Sequence, residues 1–400
     1  MVQLRNTILF LACNFLFLWW SCSQPDASAE RPETSDASVT IETRPPDATI
    51  PPETPSPEIS TKREEADQQE TSSSSESATP EQGVPELPPT PMPKKPAGLV
   101  SYVTGNPEDA KVQPKGPGLI LMGGSREVDA AFHWWKPQIS QGDVVIIRSS
   151  GSDGYNSYLY KEIGGAHSVV TLLVTSRELA NSDYVAWHLE RAEGVFLAGG
   201  DQSKYVKYWK DTRLVKALQT AWSRGAVIGG TSAGLAVLGA FLFSANKGTV
   251  TSQQALANPY TERVQLARKF LSFSPLQHVI TDSHFAERDR MGRLVTFLAR
   301  LIQDGWTQQP IGIGVDERTA LVIDAKGKGR VMGRGAVYLV KSPKPPKVCA
   351  PGKALDWSGI TYSRLIKGDT VSLPSGTTSQ QSKTLSINKG QMAPASPHSP

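Results

Sequence analysis

The sequence predicts an α/β fold: a three-layer, doubly wound arrangement in which helices cover both faces of a mainly parallel sheet. Apolar runs of four to six residues recur through the middle of the chain, with helix-compatible stretches between them. Runs of that length are typical of parallel strands that are buried on both faces. The predicted strands are Gly118–Met122, Val144–Ile147, Val169–Val174, Val195–Ala198 and Ala226–Gly229.

The segments between and after these strands complete the alternation of strand and helix. The helix-compatible stretches are Ala130–Ile139, Tyr155–Ile163, Tyr184–Ala192, the longer Tyr205–Arg224 and the helix-prone Leu235–Phe243. Downstream, Ile311–Val315 and Thr319–Asp324 look like paired strands, and Val331–Val340 is expected to extend the sheet.

Glycine pairs mark the ends of three predicted strands. They are Gly123-Gly124, Gly199-Gly200 and Gly229-Gly230. Because sites in open α/β sheets lie at the carboxyl ends of strands, these glycines indicate the edge at which the chemistry is expected.

Composition divides the 400 residues into a predicted folded domain and two segments that are predicted to be disordered. Residues 23–96 hold fifteen of the 30 prolines and no Phe, Trp or Tyr. Such a segment cannot bury enough apolar surface to offset its conformational entropy, so we predict a disordered, acidic, Pro/Ser-rich linker. Enrichment in Gly, Ser, Thr, Pro and Gln predicts a second disordered segment, the tail at 374–400. The folded domain is therefore expected at 97–373.

Charge is divided in the same way. The whole chain carries +4, whereas the linker has six Lys/Arg against fifteen Asp/Glu, which leaves +12 on residues 97–400. A basic domain suits a carboxylate-bearing substrate or an anionic surface. There is no nucleic-acid motif and no Lys/Arg run longer than two residues, so we do not expect a nucleic-acid partner.

The first residues predict export. Arg5 precedes an apolar run, Ile8–Trp20, which is shorter than the roughly 20 residues that a spanning helix needs. We therefore predict a signal peptide over 1–22. Ser21 before Cys22 resembles a bacterial lipoprotein processing site, which would attach the protein to the membrane of the cell envelope through a lipidated Cys22. Plain secretion or a periplasmic location, and a retained short anchor, stay open as alternatives.

The segment Gly230-Thr231-Ser232-Ala233-Gly234 has the pattern G-x-S-x-G directly after a predicted strand. In a nucleophile elbow, the serine lies on a sharp turn and the glycines avoid collisions with neighbouring backbone. The context therefore predicts Ser232 as a nucleophile. A glycine-rich turn that is packed for steric reasons is the alternative.

A serine hydroxyl is a weak nucleophile and needs a base. His284 follows the apolar segment Val279–Thr281 at the expected active edge, which favours it over His278, a residue with apolar neighbours. The remaining histidines are His133, His167 and His188 in helical or loop contexts and His398 in the tail.

The base in turn needs a carboxylate that fixes its tautomer and stabilises the imidazolium. Glu317, at a strand junction, is our choice over Asp316, and a surface acid in a hairpin is the alternative. Asp282 is too close to His284 in sequence for an obvious orienting geometry, although a turn between them would allow it. An oxyanion would lie between the backbone N–H groups of Ala233 and Gly200.

Three arginines, Arg288, Arg290 and Arg293, follow His284. Their spacings do not place all three on one helix face, so we expect at least one to point inward. A guanidinium fork suits bidentate binding of a carboxylate.

These blocks, in this order, resemble the cyanophycinase-like branch of the S51 serine peptidases, on the class I glutamine-amidotransferase-like (flavodoxin-like) fold. The matching segments are Phe196–Gln202 (FLAGGDQ), Gly229–Gly234 (GGTSAG), Asp282–Leu294 and Gly312–Leu321 (GIGVDERTAL). The resemblance implies a triad of Ser232, His284 and Glu317. It also implies substrate contacts from Gln202, Asp282, Arg288, Arg290 and Arg293.

The resemblance further implies hydrolysis of aspartyl or β-aspartyl peptide bonds, as in cyanophycin, a poly-aspartate that bears arginine on its side chains. One residue departs from the family pattern: Ser283 stands where the family has glutamine. The shorter side chain removes one expected substrate contact, which puts cyanophycin itself in doubt more than the peptidase chemistry.

We expect no cofactor and no metal, since Cys349 is the one cysteine in the predicted domain. A homodimer stays open. Three rival functions also stay open: an esterase, a non-catalytic envelope binding protein, and a glutamine amidotransferase. The esterase usually has its acid before its histidine, and the amidotransferase uses cysteine, which argues against both.

Overall fold

The computed structural model describes residues 90–395 and 397–398, so the predicted signal peptide, Cys22 and nearly all of the predicted linker lie outside the described residues. The helices are α1 (Asp129–Trp135), α2 (Gly154–Ser157) with a π-helix at Tyr158–Ile163, α3 (Arg177–Ala180), α4 (Asp183–Arg191), α5 (Gln202–Trp209), α6 (Arg213–Ser223), α7 (Ser252–Ala257) and α8 (Met291–Gln303), with 3₁₀ turns at Leu235–Val237 and Ser274–Leu276. No helix within 90–395 is long and apolar enough to cross a membrane.

The strands, in chain order, belong to two sheets. They are β1 (Val100–Gly105), β2 (Gly118–Met122), β3 (Asp143–Arg148), β4 (Ser168–Leu173), β5 (Gly194–Leu197), β6 (Val227–Thr231), β7 (Phe241–Phe243), β8 (Leu266–Arg268), β9 (Val279–Asp282), β10 (Ile311–Val315), β11 (Thr319–Ile323), β12 (Lys328–Gly333), β13 (Val337–Lys341), β14 (Trp357–Leu365), β15 (Thr370–Ser372), β16 (Thr377–Thr378), β17 (Lys383–Asn388) and β18 (Gln391–Ala393).

The first sheet has the order β1-β4-β3-β5-β6-β2-β11-β12-β15-β16. Its five central strands, β4 to β2 in that order, are parallel to one another, and β1 and β11 pair antiparallel at the two sides. These five are the five strands that the apolar runs predict. Their carboxyl ends lie at one edge, as parallel pairing requires.

Helices cover both faces of the first sheet. Side chains of α1 and the π-helix, including Phe132 and Leu159, pack with Phe196 on one face. Side chains of α4 and α6, including Leu189 and Leu218, pack on the other face. Successive residues of each strand supply the two faces alternately, as strand geometry dictates. The predicted three-layer α/β arrangement is confirmed.

The second sheet has the order β18-β17-β14-β13-β10-β9-β7-β8, and it corrects the prediction that Ile311–Val315 and Thr319–Asp324 form a pair. β10 pairs with β9 and β13 in the second sheet, whereas β11 pairs with β2 and β12 in the first. Asp316 turns the chain at this crossing, because its two carboxylate oxygens accept the backbone N–H groups of Ala286 and Ala336.

The predicted extension Val331–Val340 is divided in the same way, since β12 belongs to the first sheet and β13 to the second. The helix predicted over Leu235–Phe243 is a 3₁₀ turn followed by β7. A Cβ on Gly239 would lie 2.6 Å from the carbonyl oxygen of Val279, so this apolar segment packs directly along β9. The predicted helix Tyr205–Arg224 is broken at Asp211, which has a positive φ of 58°.

The prediction of a disordered tail at 374–400 is wrong for most of its described residues. β17 pairs with β14, and β18 pairs with β17. Leu385 and Ile387, two residues apart, are each 2% exposed and pack into the core of the second sheet. The tail is rich in Ser, Gly and Pro, and the alternating pattern of β17 contains only two buried apolar residues, so composition alone did not reveal this strand.

Candidate active site

Ser232 lies at the carboxyl edge of the first sheet, one residue after β6. Its φ is +53°, a backbone conformation that non-glycine residues rarely adopt and that costs of order 1–3 kcal/mol. A Cβ on Gly230 would lie 2.6 Å from the backbone of Gly234, and one on Gly234 would lie 2.0 Å from the carbonyl oxygen of Leu197. The two glycines therefore permit the sharp turn that the sequence pattern predicts.

The structure brings Ser232, His284 and Glu317 into a hydrogen-bonded line. Ser232 Oγ lies 2.7 Å from His284 Nε2, and His284 Nδ1 lies 2.7 Å from Glu317 Oε1. The His284 N–H donates to the carbonyl oxygen of Gly123 at 2.8 Å. A Cβ on Gly124 would lie 2.5 Å from the imidazole, so this glycine makes room for the ring.

Burial and neighbouring groups determine the protonation states of His284 and Glu317. Burial lowers the pKa of His284 below its ordinary value of 6.5, and the charges of Arg288 and Arg290 act in the same direction. The hydrogen bond with His284 lowers the pKa of Glu317, although Glu317 is more exposed than the histidine. At neutral pH the site thus holds a neutral imidazole beside an ionised carboxylate, the pairing that a general base requires.

Backbone N–H groups are available beside the serine. A Cβ on Gly199 would lie 3.5 Å from the Cβ of Ser232, and Gly200 follows with a φ of +148°. Within the described residues, the N–H groups of Gly200 and Ala233 donate to no other group. The Tyr205 hydroxyl donates to the carbonyl oxygen of Ala198 at 2.7 Å, which holds this loop against α5. A 3₁₀ turn, not the predicted helix, follows the serine.

Asp282 and Arg293, two of the predicted substrate contacts, form a buried ion pair. Arg293 Nε lies 2.7 Å from Asp282 Oδ2, and Arg293 Nη2 lies 2.5 Å from Asp282 Oδ1. Arg293 is 2% exposed and Asp282 is 3% exposed. The carboxylate of Asp282 is therefore occupied within the protein, and the structure does not present it to a substrate.

Arg288, Arg290 and Gln202, the other predicted contacts, line a cleft of about 590 Å³ that Gly200 also borders. Arg290 Nη1 donates to the carbonyl oxygen of Ser283 at 2.7 Å and lies 3.2 Å from Asp282 Oδ1. Burial lowers the pKa of Arg290 to about 10, which keeps the group protonated at neutral pH. Arg288 is exposed, and its guanidinium has no ion-pair partner among the described residues.

Sequence reasoning missed several groups at this edge. Glu287 Oε1 accepts the N–H of Glu317 at 3.0 Å, which ties Glu317 to the segment after His284. Asn246 and Thr249, from the segment after β7, line the same cleft, and Thr249 Oγ1 accepts a hydrogen bond from Arg293 Nη1 at 3.1 Å. The sequence did indicate the Gly123-Gly124 pair at this edge, whereas no sequence pattern indicated Glu287, Asn246 or Thr249. The described residues contain no group of three or more His, Cys, Asp or Glu side chains that could hold a metal.

Ser232 is in a strained conformation at the carboxyl edge of a parallel sheet, and it is hydrogen-bonded to a histidine whose other ring nitrogen contacts a carboxylate. These features define a site of the serine-nucleophile class. The model of Peptidase family S51 matches residues 152–330. The cyanophycinase of Trichormus variabilis is 32% identical over 234 residues, which are 56% of this chain and 72% of that protein. The chain belongs to this family.

Other relatives match over a shorter span. The cyanophycinase of Synechococcus elongatus is 30% identical over 183 residues, 46% of this chain, so the match spans about half (52%) of that relative's length. A crystal structure of a peptidase from an acI-B1 actinobacterium aligns with 65% of this chain and 98% of its own, at a TM-score of 0.46 and 17% identity. At that score the structural likeness adds nothing to the assignment.

Proposed function

We propose that this protein is a serine peptidase that hydrolyses peptide or isopeptide bonds of aspartyl or β-aspartyl substrates through an acyl-enzyme. The observation that carries the proposal is the line from Ser232 Oγ through His284 to Glu317, with both contacts at 2.7 Å. Membership of the S51 family and similarity to proteins named cyanophycinase support the same class of reaction.

In the first half-reaction, Ser232 Oγ attacks the carbonyl carbon of the scissile bond while His284 Nε2 takes the hydroxyl proton. Glu317 accepts a hydrogen bond from Nδ1, holds the tautomer and stabilises the imidazolium. The carbonyl oxygen, now negative, is bound by the N–H groups of Gly200 and Ala233, which donate to no other group within the described residues. Losing one such donor typically costs about 3–4 kcal/mol of transition-state stabilisation.

The first half-reaction ends as the carbon–nitrogen bond breaks and His284 gives its proton to the leaving amine, which leaves the acyl-enzyme on Ser232. In the second half-reaction, water enters, His284 takes a proton from it as its oxygen attacks the acyl carbon, and the acyl group is released from Ser232. The serine recovers its proton from His284. These steps use side chains and backbone of this chain only, and the bond that opens is replaced by one to the oxygen of water.

The cleft that Gly200 borders supports a substrate that bears a carboxylate. The Arg288 guanidinium, which lines this cleft, has no ion-pair partner within the described residues, and Gln202 supplies an amide at the start of α5. Arg290 is held by Asp282 and Ser283, so we propose that it shapes the wall of the cleft and gives that wall a positive charge. Arg288 would make the direct contact with the substrate carboxylate. Ser283 is 3% exposed and lies behind Arg290, so it offers no replacement for the family's glutamine.

The proposal includes export and membrane attachment, and these two parts rest on the sequence alone. The apolar run Ile8–Trp20 and the Ser21-Cys22 pair support a cleaved signal and a lipidated Cys22. The mass of the mature amino-terminal peptide tests both. A diacylated cysteine supports lipoprotein processing, and an unmodified peptide that begins downstream supports plain secretion.

Ser232→Ala tests the peptidase assignment. We expect hydrolysis of cyanophycin and of a β-aspartyl peptide panel to be abolished, while the near-UV circular dichroism stays as in the wild type. Ser223→Ala changes an exposed serine at the end of α6 and serves as the matched control. Full activity of Ser232→Ala would end the proposal. An inactive wild type across peptides, but with ester hydrolysis, would favour the esterase; no turnover of either would favour the binding protein.

A further inference from the structure

The His398 side chain packs against the segment that follows His284. Its ring stands edge-on to Phe285 and to Tyr338, with centroid distances of 5.4 and 5.2 Å and interplanar angles of 83° and 87°. Edge-to-face pairs at such distances attract one another. The His398 side chain is 16% exposed, so the packing removes most of it from water.

Phe285 anchors a tight loop, Phe285–Arg290. Its ring is fully buried, and a Cβ on Gly314 would lie 2.5 Å from it, so the ring is pressed against β10. The Arg290 N–H donates to the carbonyl oxygen of Phe285 at 3.0 Å, and the Arg288 N–H donates to that of His284 at 3.2 Å. The position of the Phe285 ring therefore fixes where the loop presents its arginines.

We propose that His398 is a positioning residue: its ring closes the pocket around Phe285 and so holds the loop that presents Arg288 to the substrate. This inference rests on the proposed function only for its effect on the reaction. Its structural part, the restraint on the Phe285–Arg290 loop, can be measured without any substrate.

Ring packing, and not an ion pair, is the basis of this role. His398 Nε2 lies 3.6 Å from Asp289 Oδ1, which is longer than a hydrogen bond, and Asp289 is 72% exposed. Neither ring nitrogen has a hydrogen-bond partner among the described residues. The charged groups that face the ring are Asp289, Glu287 and Arg364, and burial lowers the pKa of His398, so the ring is uncharged at neutral pH.

The kinetic test compares His398→Ala with His398→Phe in the full-length protein. For a β-aspartyl peptide, we expect His398→Ala to raise KM by about threefold to tenfold and to change kcat by less than about twofold. His398→Phe keeps an aromatic ring and should restore KM to near the wild-type value. Gln391→Ala, at an exposed position of β18, is the matched control and should behave as the wild type. An unchanged KM in His398→Ala, or equal loss in both His398 variants, would overturn the proposal.

Hydrogen exchange gives the readout that does not depend on turnover. In His398→Ala, the amides of Arg288 and Arg290 should exchange faster than in the wild type, while those of β9 keep their protection. This result in a protein without peptidase activity would keep the restraint and reject the proposed function. Unchanged exchange in the loop would reject the restraint, and faster exchange throughout β9 would replace it with a general loss of stability.

Discussion

The two sheets contribute different chemistry to the same edge. The first sheet supplies Ser232 after β6 and, in the Gly199-Gly200 turn after β5, backbone N–H groups without side chains in the way. The second sheet supplies charged and titratable side chains: His284 after β9, then the arginines. Glu317 lies in the short link between β10 and β11, at the point where the chain crosses from one sheet to the other.

This difference shows where the geometry of the site is decided. A serine turn can be built within one strand–turn segment, but the two 2.7 Å contacts of His284 each join separate segments. The position of Ser232 is therefore set locally by glycines, whereas the positions of His284 and Glu317 depend on how the second sheet packs against the first. Substitutions in the two sheets should therefore affect activity and stability in different ways.

The largest effect is expected where the second sheet meets the nucleophile. His284→Gln removes the proposed general base of Ser232, and we expect kcat to fall by about 10⁴-fold with the fold intact. Steady-state kinetics and circular dichroism measure the two parts. His133→Gln, an exposed histidine of α1, should retain wild-type activity. Comparable activity in the two variants would contradict the role of His284.

Asp282→Asn should act on stability. It leaves the buried guanidinium of Arg293 without its counter-charge, and breaking such a pair costs about 3–5 kcal/mol of unfolding free energy. Urea denaturation measures the change. The surface pair Asp183–Arg213 offers the comparison, because Asp183→Asn should cost about 1 kcal/mol or less. Equal losses in the two variants would show that the Asp282–Arg293 pair is not the structural element described above.

Gly124→Ala tests the contact between the sheets. The new Cβ would lie 2.5 Å from the His284 ring, at a residue with φ of +107°, so the ring must move away from Ser232. A displacement of that kind can lower kcat by about 10²-fold. Gly154→Ala, where a Cβ meets no atom within 4 Å, is the control. Wild-type kcat in Gly124→Ala would mean that the two sheets do not fix the histidine as proposed.

The smallest effect is expected from Arg288, the exposed arginine that follows β9. Arg288→Ala removes the proposed charge-assisted contact with a substrate carboxylate, so KM should rise by about tenfold while kcat changes little. Kinetics with a β-aspartyl peptide and with the same peptide amidated at its carboxylate would measure the loss. Lys204→Ala, an exposed cation of α5, provides the control. If Arg288→Ala affects both peptides equally, Arg288 does not bind the carboxylate.

Local signals predicted the first sheet well and the second sheet poorly. The apolar runs were sufficient for the five parallel strands, because burial on both faces leaves a continuous pattern. The same continuity made Leu235–Phe243 ambiguous between helix and strand, and two apolar residues, Leu385 and Ile387, were too few to reveal β17. The crossing at Asp316 depends on bonds to Ala286 and Ala336, which no local pattern encodes.

The site shows the same division. Ser232 has a pattern of its own, and the predicted partners His284 and Glu317 lie within hydrogen-bonding distance of one another. Their catalytic roles stay predictions. The pairing of Asp282 with Arg293 and the packing of His398 on Phe285 join parts of the chain that only the tertiary structure brings together.

The pH dependence of covalent labelling by a fluorophosphonate tests the central claim, a serine activated by a histidine of the other sheet. We predict a single adduct on Ser232 by peptide mass analysis. Because burial lowers the pKa of His284, the labelling rate should fall at acid pH with a midpoint below 6.5, the ordinary pKa of histidine, as His284 becomes protonated. Absence of an adduct on Ser232, or a rate that is the same in His284→Gln, would contradict the account.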